Sequence, residues 1–180
     1  MFELSRRAVS LGISTALLTT GIGAFAASAE NIIIGIPAAQ SGPVGVADHQ
    51  DWTNGAMLAI EEINADGGVL GRQLEAKIID LDMMTPEGNV AAIQALIEGG
   101  SHAIASAFTI IPPPAMDTAA PSGIPYLHGN TSTLNVDLFQ GDPEKYKNIF
   151  QLDVPEAYYG SGFVKFLQDM TESGQWKPKN

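Results

Sequence analysis

From Asn31 to Pro37 the chain reads Asn-Ile-Ile-Ile-Gly-Ile-Pro, a β-branched apolar run between turn residues, which predicts a short strand buried on both faces. From Asp51 the period changes. Trp52, Ala56, Ile60 and Ile63, with Met57 and Ala59 beside them, recur at helical spacing, while Glu61, Glu62 and Asn64 fall on the face expected to meet water. Gly67 and Gly68 then supply the left-handed backbone that ends a helix. A second strand is expected over 73–81, centred on Ile78 and Ile79. Thr85-Pro86-Glu87 marks the next helix start: the hydroxyl caps free N–H groups, proline suits the first turn, and glutamate suits the positive end of the helix dipole. Val90, Ile93, Leu96 and Ile97 form its inward stripe up to Gly99-Gly100.

The same alternation continues with a third apolar strand over 103–108, a shorter helix over 114–120 and a fourth strand over 124–127. Strand and helix in strict succession predict an α/β fold with a parallel sheet and right-handed crossovers. Residues 130–147 read as a long irregular excursion. A brief strand over 149–151 and a helix over 155–170 follow, with Tyr159, Phe163, Phe166, Leu167 and Met170 as the stripe expected to be buried. The tail from Ser173 is linker-like. There is no internal repeat and no low-complexity tract.

Residues 1–29 stand apart. Arg6 and Arg7 precede a mildly apolar stretch from Leu11 to Phe25, and Ala27-Ser28-Ala29 offers small residues for cleavage, so an export signal cut after Ala29 is expected. Ser14, Thr15, Thr19 and Thr20 make the stretch too polar for a membrane anchor. The two arginines leave both the twin-arginine route and the general one open. Two arginines and one glutamate leave with the signal, so 7 basic and 19 acidic residues remain in the exported chain. Such acidity repels polyanions, which excludes nucleic acid as a partner and anionic membrane surfaces as a docking site. No membrane insertion is expected after signal cleavage.

With no cysteine, the chain has no disulfide framework, thiolate nucleophile or cysteine-ligated metal. His49, His102 and His128 share no metal-ligand spacing, so neither a metal nor a cofactor is expected. The phosphate-cradling glycine patterns are missing too. Enzymatic readings fail one by one. Glu61 and Glu62 are neighbours pointing apart on a helix, and no strained nucleophile elbow surrounds Ser41 to make a triad with Asp48 and His49. The run from Asp80 to Pro86 resembles the phosphoacceptor turn of response-regulator receiver domains, with Asp82 as phosphoacceptor. Against that alternative, Ala38-Ala39-Gln40 stands where an acidic pair is needed to hold Mg²⁺, and the chain is exported.

In an open parallel sheet, ligands gather at the carboxyl ends of the strands. Three loops lie there: Gln40 to Gly45, the turn opened by Thr109, and His128 to Thr133. They are rich in hydroxyls, amides and glycines rather than charges, which suits binding of a small polar group by side-chain hydroxyls and backbone N–H.

Several runs resemble the extracytoplasmic solute-binding proteins of branched-chain amino acid ABC transporters and their amide-binding relatives. Ile33 to Pro43 is similar to the family's first strand and Ser-Gly-Pro loop, and Asn54 to Arg72 is similar almost letter for letter to its first helix and Gly-Gly-Val-Leu-Gly-Arg turn. Gly123-Ile-Pro125, Phe150-Gln151 and Tyr159-Gly160 extend the likeness along the exported chain. The resemblance implies a type I periplasmic binding fold, in which a Rossmann-like lobe and a second lobe close on a solute that is then handed to a membrane permease. On this reading 30–147 is the N-terminal lobe and 148–180 the crossover strand and first helix of a second lobe, largely missing because the sequence stops where it would begin. The resemblance places carboxylate-gripping hydroxyls at Thr109 and Ser132, backbone groups at Asn130 and Thr131, and a rim at Ser41, Gly42 and Pro43. Two positions depart from the family: Thr109-Ile-Ile-Pro-Pro replaces a serine-rich turn, and Ala47 stands where an aromatic is usual. Both direct the expected solute away from a branched-chain aliphatic amino acid.

Overall fold

The structure is a computed structural model and describes residues 30–177 and 179. The expected signal over 1–29 lies outside the described residues. Five strands, β1 (Ile32–Ala38), β2 (Leu74–Asp80), β3 (Ala103–Ser106), β4 (Tyr126–His128) and β5 (Ile149–Gln151), form one sheet in the order β2-β1-β3-β4-β5. Every pairing is parallel, with Ile32 opposite Leu74, Ile34 opposite Ala103, Ile104 opposite Tyr126 and Tyr126 opposite Ile149. The predicted α/β class holds. The strand order reverses direction between β1 and β3, and that switch point opens a crevice at the strand ends.

Five helices connect the strands: α1 (Val46–Ala65), α2 (Pro86–Glu98), α3 (Pro112–Ala119), α4 (Thr133–Gly141) and α5 (Ala157–Glu172), with a short 3-10 turn (Ala120–Ser122) after α3. Helix α2 starts as its sequence dictates, with the Thr85 side chain accepting from the Gly88 N–H at 3.1 Å and Pro86 in the first turn. The Gly-Gly-Val-Leu-Gly-Arg run is a turn that aims β2, not a part of the site. Gly68 has φ 76°, and a Cβ there would collide with the Arg72 carbonyl. Asn64, expected to face water, instead donates to Leu74 O at 2.8 Å and accepts from Leu74 N–H at 2.7 Å. Those two bonds fix the end of α1 to the start of β2.

The main core lies where α2 and α3 cover the sheet: Ile93, Leu96, Ile104, Met116, Tyr126, Tyr146 and Ile149 form one buried cluster. A second cluster of Ala39, Leu81, Met83 and Ala92 sits beneath the loops that follow β1 and β2. The Asn148 side chain donates to Ala119 O at 3.2 Å and Ile124 O at 2.7 Å, which holds the segment entering β5 against the end of α3.

Four sequence expectations are corrected. Helix α1 begins at Val46 rather than Asp51, because Gly45 at φ 78° starts it and His49, not only the apolar stripe, packs inward. Within the α1 and α2 stripes, Ala59, Ile63 and Val90 are exposed, and Asn89 takes the buried position beside Val90. Residues 130–147 contain α4, whose sequence Thr-Leu-Asn-Val-Asp-Leu-Phe-Gln-Gly is poor in strong helix formers. Finally, α5 buries none of its residues among those described: Tyr159 is 48%, Phe163 60% and Phe166 54% exposed. Its periodicity is helical, but the described chain leaves Tyr159, Phe163 and Phe166 exposed and only half-buries Leu167 and Met170.

Candidate functional site

The loop after β1 is shaped by a carboxylate from the neighbouring strand. Asp80, the last residue of β2, accepts from Gln40 N–H at 2.8 Å, Ser41 N–H at 3.2 Å and the Ser41 hydroxyl at 2.5 Å. The Ser41 hydroxyl bond, followed by the backbone bonds, holds the Asp80 carboxyl below the usual carboxylate range. The Ser41 proton is therefore committed to Asp80. Ser41, Gly42 and Pro43 line a cavity of about 270 Å³ together with Val44, Asp80, Asp82 and Met83. Asp82 organises its own turn, accepting from Met84 N–H at 3.0 Å and the Thr85 hydroxyl at 2.8 Å. That is a local capping role and gives the receiver-domain alternative no support.

A second cavity, about 410 Å³, opens at the ends of β3 and β4 and gathers Thr109, Asn130, Thr131 and Ser132. Four of the seven residues singled out from the sequence thus converge, while Ser41, Gly42 and Pro43 line the neighbouring cavity instead. The two are connected through Thr109, whose hydroxyl donates to Met83 O at 3.2 Å. Thr109 is buried, and its N–H donates to the Asn130 side-chain oxygen at 2.9 Å. Ser132 caps α4, its oxygen accepting from Leu134 N–H at 3.3 Å, which leaves its own proton to donate elsewhere. Close approach of β3 and β4 closes the floor: Gly129 N–H donates to Ala107 O at 2.6 Å, and a Cβ on Gly129 would lie 2.7 Å from that carbonyl.

Sequence reasoning missed Glu156, which reaches the same cavity from the segment between β5 and α5. Its N–H donates to Thr131 O at 2.7 Å, and its carboxylate accepts from Thr133 N–H at 3.1 Å. Nothing in its local sequence marks it, because its partners lie more than 20 residues upstream. A third cavity of about 360 Å³ shares Phe108 and Gly129 with the second and adds Asp48, Trp52 and Asp153.

The three histidines part company. His49 Nδ1 accepts from Ala39 N–H at 2.9 Å, and burial pushes its pKa down. With Ser41 bound to Asp80 and His49 to the backbone, no triad forms. His102 Nδ1 accepts from Ile33 N–H at 3.0 Å. His128, on β4, is buried against a cavity of about 250 Å³ lined mainly by Met116, Val136, Phe139, Ile149 and Phe150. Neither of its ring nitrogens has a hydrogen-bond partner among the described residues, and burial pushes its pKa down to about 4. Among the described residues no group of three or more metal-ligating side chains converges, and no helix is long and apolar enough to cross a membrane.

A doubly wound lobe with a hydroxyl- and amide-lined cavity at its strand ends defines a ligand-binding lobe of the open-sheet α/β class. The family model for periplasmic binding proteins matches residues 31–175. The chain belongs to that family. It is 36% identical over 86 residues to a leucine-, isoleucine-, valine-, threonine- and alanine-binding protein of Pseudomonas aeruginosa, covering 47% of this chain and 22% of that one. A Leu/Ile/Val-binding protein of Rhizobium johnstonii is 29% identical over 117 residues, covering 64% and 31%. A solved structure from Silicibacter pomeroyi, described as a branched-chain amino acid ABC transporter, superposes with a TM-score of 0.76 at 32% identity, covering 83% of this chain and 38% of that one. The chain therefore spans between about a fifth and two fifths of the length of these relatives.

Proposed function

We propose that this chain is the N-terminal ligand-binding part of an extracytoplasmic receptor that captures a small polar solute, an amino acid, amide or related carboxylate, for an ABC importer. The observation that carries this reading is the convergence of Thr109, Asn130, Thr131 and Ser132 on one strand-end cavity in a chain of this family. Solute recognition rests on hydrogen bonds, each worth about 1.5–3 kcal/mol where one partner is charged. No bond is made or broken in the solute, which is passed to a membrane permease. The signal over 1–29 directs the chain to the periplasm, by either export route. Residues 30–147 form the first lobe, and 148–180 lead into a second. The partly uncovered apolar stripe of α5 supports this division, since Phe163 and Phe166 are the kind of face that a second lobe would cover.

Isothermal titration of the protein produced from its complete reading frame, against amino acids, primary amides and small carboxylates, tests the proposal. Saturable binding of one solute class supports it, and absence of heat across the panel refutes it.

A further inference from the structure

The loop after β1 is fastened at its root by side chains. Three successive N–H groups follow the end of the strand, and each donates to one: Ala39 N–H to the His49 Nδ1 at 2.9 Å, and Gln40 and Ser41 N–H to the Asp80 carboxylate at 2.8 and 3.2 Å. The two anchors respond differently to acid. Asp80, held below the usual carboxylate range by these bonds and that of the Ser41 hydroxyl, keeps its charge and its grip through mild acid. An imidazole nitrogen accepts a hydrogen bond only while it carries no hydrogen, so a proton on Nδ1 ends the bond to Ala39.

The same ring also reaches the loop after β3. It is buried in the first turn of α1 and packs against Phe108, ring centroids 5.0 Å apart and planes tilted by 60°. Phe108 lines both the second and the third cavity and precedes Thr109. One imidazole thus ties together α1, the loop that carries Ser41, Gly42 and Pro43, and the loop that carries Thr109. The charged groups around these elements are carboxylates: Asp48 before the ring on α1, Asp80 and Asp82 with Met83 in the first cavity, and Asp153 with Asp48 and Phe108 in the third. Burial holds the His49 pKa down, and the Phe108 backbone and Asp48 offset part of that effect.

We propose that His49 is a positioning residue whose neutral ring locks the loop after β1 to the loop after β3, and that gaining a proton unlocks the first loop and weakens solute capture. The inference rests on the receptor reading above and adds a pH dependence to it. His49 touches no solute. In its neutral form it keeps the first and second cavities at a fixed spacing, so the free protein is already shaped for binding. A proton turns Nδ1 into a donor facing the Ala39 N–H, and the buried N–H loses its acceptor. Binding must then restore order to the loop, and affinity falls.

The test is isothermal titration of the protein from its complete reading frame, from pH 7.5 to 5, with the solute panel above, alanine, leucine, propionamide and propionate included. His49→Asn keeps an acceptor for the Ala39 N–H but does not titrate, so comparison with it cancels any ionisation of the solute itself. For a solute that binds, wild-type affinity should fall by at least about threefold more than that of His49→Asn across this range. His49→Phe keeps the contact with Phe108 and loses the acceptor. At pH 7.5 it should bind about tenfold more weakly than the wild type, and His49→Asn should recover part of that loss. NMR titration of the His49 ring in the wild type needs no substitution: bound solute should lower the ring's pKa, because linkage is reciprocal. Parallel pH profiles for the wild type and His49→Asn, unchanged affinity in His49→Phe, or a ring pKa that bound solute leaves unmoved overturns this inference and leaves the receptor reading standing. No binding of any solute in the panel overturns both.

Discussion

His128 provides a pH test of the fold that needs no ligand. Its ring sits on β4 behind the strand-end cavities, 1% exposed, with neither nitrogen hydrogen-bonded among the described residues. Burial lowers its pKa from 6.5 to about 4, so the folded state holds the imidazole neutral. Above pH 6.5 neither the folded nor the unfolded ring carries a proton, and the group leaves stability unchanged. As pH falls below 6.5, the unfolded chain binds a proton that the folded chain refuses until about pH 4. Stability declines by up to about 1.4 kcal/mol per pH unit in that window and levels off below it, about 3 kcal/mol lower. His49 is also lowered by burial and pulls in the same direction, so the informative quantity is the difference between the wild type and His128→Gln. Asp80 does not interfere: its carboxyl is held below 3.8, so the stability it contributes is present above that value and is lost only as pH falls further. Urea unfolding followed by circular dichroism from pH 7.5 to 4 measures the slope at each pH. The wild type should lose stability more steeply than His128→Gln over pH 6.5 to 4. Parallel curves for the two proteins would refute the claim that His128 is buried uncharged.

Other substitutions probe single features of the fold. Thr85→Ala removes the cap on α2 and should cost about 1 kcal/mol in urea unfolding, with binding unchanged once folded. Leu96→Ala opens a hole in the main cluster, where Leu96 is fully buried, and should lower stability by about 2–5 kcal/mol in the same assay. Gly129→Ala places a methyl group against the Ala107 carbonyl at the floor of the strand-end cavity. It should reduce solute affinity in titration calorimetry by more than it lowers the thermal midpoint, and a variant that binds like the wild type would show that the floor does not matter.

Much of the architecture is local in origin and was legible in the chain itself. The β-branched run at Ile32 to Ile36, the Thr85-Pro86 start and the glycine turn at 67–71 each act through neighbours a few residues away, and each appears in the structure where the pattern places it. The loops that follow the strands were legible for the same reason, because alternation of strand and helix fixes which loops share an end of the sheet. Helix α4 was not, since Thr133, Asn135, Val136 and Asp137 have little intrinsic preference for helix and take that form within the folded lobe, where Asn135 is buried. The stripe on α5 shows the limit from the other side: periodicity tells which residues share a face, but not what, if anything, covers it.

The site divides along the same line. Residue types and strand ends pointed to three loops and the family resemblance to seven residues on them, of which Thr109, Asn130, Thr131 and Ser132 line one cavity. Only the tertiary structure decided that Ser41 gives its proton to Asp80, that the Asn130 amide nitrogen is buried without a partner among the described residues, and that Glu156 joins the cavity. Those facts depend on contacts between segments 20 to 40 residues apart. A sequence encodes such contacts through the packing of the whole lobe, and no single stretch of it carries the information.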